Sequence, residues 1–277
     1  MLAELSKLPI ADALLMCFDL ETTGVNVKED RVVQLAVSYF QGHRVVQQHT
    51  QLFNPGVPIP EGASAVHGVY DQHVADQPTL ESFIPRLAPH FRGEVLAQRP
   101  PPVLLGYNIL SYDIPLFEAE LERGGHDPSL IKMPALDLII FARWHLRHRP
   151  KLRLEDLCQE FNVPLTKAHD ALFDAKACGL LVPHFLNSGY LPPTLGAAFE
   201  AQERFRAITE QEYQDYRRWL YRDRTTGELT LGQGKHRGRA LSRVDVGYFD
   251  YCLNKMSDLP LKVREVFEAK RKGQPIS

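Results

Sequence analysis

Asp19 and Glu21 stand one residue apart at the end of the apolar run 13–18. On a strand, residues two apart share a face, so the two carboxylates converge. Like-charge repulsion makes such a pair costly unless a cation sits between them, and a divalent ion with oxygen ligands is the usual answer. The plain alternative is two solvated surface acids. Three more residues able to do chemistry follow: Asp113 at the first turn of a helical segment, then His169 and Asp174 around the start of another. His169 and Asp174 are five apart, about 140° around a helix. Both reach one site only if His169 lies in the loop before the helix, with Asp170 as its N-cap.

The elements that must position these residues can be read from periodicity and breakers. Residues 13–20 are nearly continuously apolar, the pattern of a central strand buried on both faces. Residues 31–40 and 44–53 read as two further strands around Gln41-Gly42-His43, so the sheet begins antiparallel. A proline-punctuated loop covers 54–60, and residues 80–91 carry Leu80, Phe83, Ile84, Leu87 and Phe91 at helical spacing. Residues 103–107 form the next strand. A helix follows, with Pro115 near its start and Ile114, Phe117 and Leu121 toward the sheet. Residues 136–145 and 154–161 are expected as short helices, and the stretch from Ala168 opens the last helix of the main domain. Between the short helices, residues 143–153 hold five Lys or Arg, two His and no acid. That stretch suits a phosphate backbone or a solvated loop equally. Leu191-Pro192-Pro193 reads as a stiff boundary. Beyond it, Thr209-Glu210-Gln211-Glu212 has the form of a capping box opening a helix with Tyr213, Tyr216 and Leu220 inward. Two closing helices are expected over 246–253 and 261–270.

Composition excludes some classes. The chain has 277 residues, 44% hydrophobic and 24% charged, with no run near the ~20 apolar residues of a membrane span. No secretory signal pattern is evident, and the cysteines Cys17, Cys158, Cys178 and Cys252 form no CxxC pair. These features lead to an expectation of a cytoplasmic protein with buried thiols and neither a zinc site nor disulfides. Residues 200–277 carry 16 Lys and Arg against 12 acids, a local charge of +4, which leaves −6 for residues 1–199. Within 217–243 there are eight Lys or Arg against two acids, interleaved with Trp219 and Tyr221. The mixture fits nucleic-acid binding or a small charged hairpin.

The segments Phe-Asp-Leu-Glu-Thr-Thr-Gly (18–24), Gly-Tyr-Asn-Ile-Leu-Ser-Tyr-Asp-Ile-Pro-Leu-Phe (106–117) and His-Asp-Ala-Leu-Phe-Asp-Ala (169–175) closely resemble the three motifs of the DEDDh 3′–5′ exonucleases. The resemblance covers roughly residues 12–187, with order and spacing kept. It implies an α/β fold: a ribonuclease-H-like mixed five-stranded sheet flanked by helices, holding two Mg²⁺ or Mn²⁺. It also implies the roles. Asp19, Glu21, Asp113 and Asp174 would be the metal ligands and His169 the general base that takes a proton from the attacking water. Leu20 resembles the residue that wedges against the terminal base, and His67-Gly68 the segment lining the terminal-nucleotide pocket; Thr22, Thr23 and Asn108 join them as substrate-binding candidates. Tyr107 departs from the histidine found before the asparagine in many relatives.

Residues 231–267, with Gly-Lys-x-x-Gly at 234–238, resemble the small α+β module that follows the catalytic domain in exonuclease X-like proteins. Three parts are therefore expected: an exonuclease domain over 1–190, a linker and helix over 191–226, and a small basic module over 227–277 that binds nucleic acid away from the cut. The expected activity is release of nucleoside 5′-monophosphates from DNA in repair or proofreading, with a polymerase or repair protein as partner. The alternatives are an exoribonuclease, since nothing in the motifs reads the sugar, and a scaffold that binds without cutting. The presence of all five catalytic residue types argues against the scaffold.

Overall fold

A computed structural model of the chain describes residues 5–94, 102–146, 149, 152–223 and 225–274. Two compact units emerge, Met1–Glu203 and Arg204–Ser277.

The first unit is built on a five-stranded sheet of β1 (Leu14–Thr22), β2 (Val32–Gln41), β3 (Arg44–Leu52), β4 (Val103–Gly106) and β5 (Ala135–Asp137). Its order is β3-β2-β1-β4-β5. β1 runs antiparallel to β2 and parallel to β4, which runs parallel to β5. The mixed sheet matches the expected ribonuclease-H-like architecture, with β1 central because its side chains are buried on both faces. In the β1–β2 ladder, Asp19 faces Ala36 and Glu21 faces Gln34, and the register shifts between Glu21 and Thr22.

Helices α1 (Glu61–His67) and α2 (Asp71–Val74) follow the proline loop; neither was expected. α3 (Leu80–Phe91) agrees with the expected bounds and is capped by Thr79, whose hydroxyl accepts from Ser82 N–H. α4 (Asp113–Arg123) begins at the acid singled out above. Phe18 of β1 meets Phe91 of α3 edge-on at 5.3 Å, and Phe91 meets Phe117 of α4 at 4.7 Å. Rings at these separations attract beyond their burial. The trio thus locks the strand bearing Asp19 to the helix bearing Asp113.

After β5 come α5 (Leu138–His145), α6 (Leu154–Glu160) and α7 (Ala171–Asn187). The expected helix over 136–145 is thus shortened at its start, because residues 135–137 pair with β4 and Asp137 caps α5. α7 lies against the sheet so closely that a Cβ on Gly179 would fall 2.3 Å from the Phe40 ring. The Leu191–Pro193 segment is packed rather than free. Ile10 N–H donates to the Pro193 carbonyl at 2.9 Å, Leu195 N–H donates to the Leu8 carbonyl at 3.0 Å, and Leu191 is buried.

One helix, α8 (Leu195–Trp219), replaces the two-part reading of this region, and the division between units falls inside it. Thr209–Glu212 are interior residues, not a cap. From Ala197 to Trp219 no Gly or Pro interrupts the helix, and the buried Ala198, Ala201 and Phe205 start its inner face well before Thr209. Tyr213 is exposed. The second unit continues with a hairpin of β6 (Leu220–Arg222) and β7 (Leu229–Leu231), then α9 (Val246–Lys255) and α10 (Leu261–Arg271). It has its own core, in which Trp219, Leu231, Phe249, Val263 and Phe267 are buried together. No described helix is long and apolar enough to cross a membrane, and all four cysteines are buried free thiols.

Candidate active site

The site forms where β1 ends beside α4 and α7. Asp19 and Glu21, two apart on β1, point to one face as the strand period requires. Asp174, in the first turn of α7, joins them, and ligand oxygens of the three lie within 4.8 Å of one another. Asp113 approaches from α4 and is tied to the same strand: its Oδ1 accepts the Leu20 N–H at 3.0 Å. The structure therefore brings the four carboxylates together from three elements.

Their electrostatics are unfavourable on their own. Burial pushes the Asp19 carboxyl well above the ordinary range, and Asp113, Asp174 and Glu21 add repulsion. Glu21 is raised to about 8, by burial first and then by Asp174 and Asp113. Burial also raises Asp113 to about 7 and Asp174 to about 6, in each case opposed by a backbone N–H bond, from Leu20 and from His169 respectively. Asp174 Oδ1 is buried without a hydrogen-bond partner. An unpartnered carboxylate oxygen inside a cluster of acids is the donor set a hard divalent cation takes. The residues present thus fit Mg²⁺ or Mn²⁺.

His169 lies in the loop before α7, as its spacing from Asp174 requires. Its backbone is left-handed, with φ 63°, and its N–H donates to Asp174 Oδ2 at 3.0 Å. The imidazole is half exposed and its Nε2 lies 2.9 Å from Glu155 Oε1 on α6. The loop is held from two sides. Asp170 caps α7 by accepting from Leu172 N–H, and Gln34 of β2 accepts from Ala171 N–H while donating toward Asp170.

The candidate substrate residues divide. His67 and Gly68, at the end of α1, line a cleft of about 720 Å³ together with His169 and Asp170. His67 Nδ1 accepts from Val69 N–H, its Nε2 is buried without a partner, and burial lowers its basicity. Leu20 is buried within the core cluster. Thr22 donates to the Gly24 carbonyl and hydrogen-bonds the Tyr112 hydroxyl, while Thr23 donates to Asp30. Both threonines thus brace the turn after β1. Asn108, with φ 73°, donates its N–H to Asp137 Oδ1 at 2.7 Å. At the departing position, the Tyr107 hydroxyl donates to the Leu152 carbonyl.

Two residues escaped the sequence reading. Glu155 pairs with His169, and the buried Asp137 accepts from Asn108 and Leu110, shaping the loop that delivers Asp113. The signal for Asp137 was an acid inside the apolar run 136–141. Glu155 gave none beyond its place in a helix's first turn. Of the basic stretch 143–153, Arg149 is paired with Glu160, and Arg153 with Asp156 and, at 3.1 Å, with the second oxygen of Glu155; Arg147 and Lys151 lie outside the described residues.

Comparison with known proteins decides the family. A family model described as Exonuclease matches residues 16–182, well over half of the chain. The chain belongs to the exonuclease family. The expectation of a DEDDh-type 3′–5′ exonuclease is thereby borne out at the level of family and fold. The chain is 27% identical over 180 residues to a PolC-type DNA polymerase III of Streptococcus pneumoniae, covering 65% of this chain but only 12% of the polymerase. Among solved structures, it is similar to the zinc-bound complex of Escherichia coli exonuclease I with single-stranded DNA. There the TM-score is 0.54 at 21% identity, over 64% of this chain and 41% of that one. Exonuclease I of Methylocaldum szegediense gives 0.53 at 23% identity, over 63% and 40%. The chain spans less than half of the length of each of these proteins, and the structural likenesses speak for the fold.

Proposed function

We propose that the chain is a metal-dependent 3′–5′ exonuclease that releases nucleoside 5′-monophosphates from DNA. Asp19, Glu21, Asp113 and Asp174 would hold two Mg²⁺ or Mn²⁺. The observation that carries this reading is the part-buried cluster of carboxylates, with a partnerless Asp174 oxygen, joined by His169 at its edge. When bound, the ions supply Lewis-acid activation of water and stabilise charge on the attacking and leaving oxygens.

The chain's own residues do the rest. His169 accepts the proton of the attacking water as its oxygen bonds to phosphorus; the bond to the 3′ oxygen breaks, and that oxygen takes a proton from solvent water as it leaves. Glu155, 2.9 Å from Nε2, orients the ring and offsets the charge of the imidazolium. The Asp174 bond to the His169 N–H keeps base and cluster in register. The cleft between His67-Gly68 and His169 receives the terminal nucleotide. The likeness to part of a DNA polymerase, and to an exonuclease whose structure was described with single-stranded DNA, supports DNA over RNA and a polymerase or repair protein as partner.

The test uses end-labelled single-stranded DNA, duplex DNA with a recessed end, and RNA, each with Mg²⁺ or EDTA, for wild type and Asp19→Ala. Stepwise loss from the DNA 3′ end that needs metal and vanishes in the variant is expected. Activity that survives EDTA or Asp19→Ala overturns the mechanism, and faster digestion of RNA than DNA overturns the substrate.

A further inference from the structure

One loop of the second unit carries three unpaired positive charges close together in sequence. Between Glu228 and Asp245 there is no acid, but there are Lys235, Arg237, Arg239 and Arg243. Arg243 is paired with Glu228. Elsewhere in this unit Arg217 lies over the Tyr213 ring, Arg218 pairs with Asp215 and Arg271 with Asp250, and Arg222 and Arg264 donate to backbone carbonyls. Lys235, Arg237 and Arg239 are exposed, and among the described residues their charged ends have no ion-pair or hydrogen-bond partner.

The loop that carries them is fastened, not loose. Leu231 N–H donates to the Arg239 carbonyl and Gly238 N–H to the Leu231 carbonyl, closing its base; Arg237 N–H to the Gly234 carbonyl tightens its tip. Gly234 and Gly238 are left-handed, with φ 81° and 80°. A Cβ on Gly234 would stand 2.3 Å from the Tyr248 hydroxyl, so the backbone packs directly on α9 there, and the His236 ring meets Tyr248 edge-on at 4.6 Å. Three like charges within five residues of a fastened loop repel one another, and that repulsion is relieved by a polyanion.

We propose that this loop is a phosphate-backbone contact for nucleic acid, made by Lys235, Arg237 and Arg239. The proposal rests on the reading that nucleic acid is the substrate. The contact neutralises phosphates and reads no bases, so it is independent of sequence.

The experiment measures binding of the full chain to fluorescein-labelled single-stranded and hairpin DNA, in EDTA, across a salt series. Each phosphate contact contributes about 0.9 to the slope of log affinity against log salt on duplex and about 0.7 on a single strand. The triple variant K235Q/R237Q/R239Q should lower the slope by about 2.7 or about 2.1 respectively, and each single variant by about a third of that. A control triple, K262Q/K270Q/K272Q, removes the same charge elsewhere in this unit and should leave the slope in place. A slope unchanged in the loop variants, or equally changed in the control, overturns the proposal. Equal wild-type affinity for polyglutamate or anionic vesicles overturns the assignment to nucleic acid. Hydrolysis of the p-nitrophenyl ester of thymidine 5′-monophosphate with Mn²⁺ should be equal in wild type and loop variant. Its absence in both would count against the exonuclease reading and leave the binding result to stand.

Discussion

Removing a charge from the metal-free cluster should stabilise the protein while destroying the proposed activity. Glu21 is the clearest case. It is 9% exposed, and its carboxyl is raised from an ordinary 4.5 to about 8. A carboxyl whose folded value lies above its unfolded one favours the fold while it is protonated. Stability is therefore full below pH 4.5 and is lost as pH rises toward about 8. Between pH 4.5 and 7 about 2.5 pH units are crossed in which only the folded state holds the proton, and at about 1.4 kcal/mol per unit this costs roughly 3–4 kcal/mol. Glutamine keeps the shape without the charge. Metal-free Glu21→Gln should then be about 3 kcal/mol more stable than wild type near pH 7, a rise of roughly 6–12 °C in melting temperature for a chain of this size. At pH 4.5 the two should melt together. Mn²⁺ should reverse the order, because the cation stabilises the full set of carboxylates and the glutamine variant offers one fewer. Thermal unfolding at acid and neutral pH, in EDTA and in Mn²⁺, measures all of this. A variant no more stable than wild type at neutral pH in EDTA, or a gain independent of pH, refutes the electrostatic account.

Other outcomes follow from the same geometry. His169→Ala should lower the cleavage rate by about 10²–10⁴, as loss of a general base does, while keeping the Mn²⁺-induced rise in melting temperature; an unchanged single-turnover rate refutes its role. Glu155→Gln keeps a polar partner for Nε2 but removes the charge opposite the imidazolium, so about a tenfold slower single turnover is expected with Mn²⁺ stabilisation intact. A wild-type rate refutes the pairing as functional. Glu120→Ala tests the scaffold. The buried Glu120 carboxylate binds Arg31 at 2.7 Å, Arg123 at 3.0 Å and the Val32 N–H at 3.1 Å, joining α4 to the start of β2. Its loss strands a buried donor and removes the ion-pair partner of two largely covered arginines. About 2–3 kcal/mol of stability should go, read as a lower denaturant midpoint at constant slope. An unchanged midpoint refutes it.

What was legible in the sequence was local, and what was not depended on elements meeting in space. Asp19 and Glu21 share a face because a strand has period two, and that holds whatever packs above them. His169 could be placed in a loop because helix geometry keeps residues five apart from converging, and its left-handed backbone at φ 63° is how the chain meets that demand. The motif spacing likewise located Asp113 at the start of α4, where its carboxylate receives the Leu20 N–H. Glu155 is different. Nothing within its own segment marks it; it matters because α6 comes up against the loop before α7, a contact set by packing. Asp137 is similar, since its bonds to Asn108 and Leu110 span nearly 30 residues. The same distinction explains the errors of secondary structure. β5 is three residues long and exists only because β4 offers a partner, and the Thr209–Glu212 pattern was overridden once an unbroken run from Leu195 had already formed a helix around it. A cap signal acts only where a helix has reason to begin, so that pattern carried no weight in its interior.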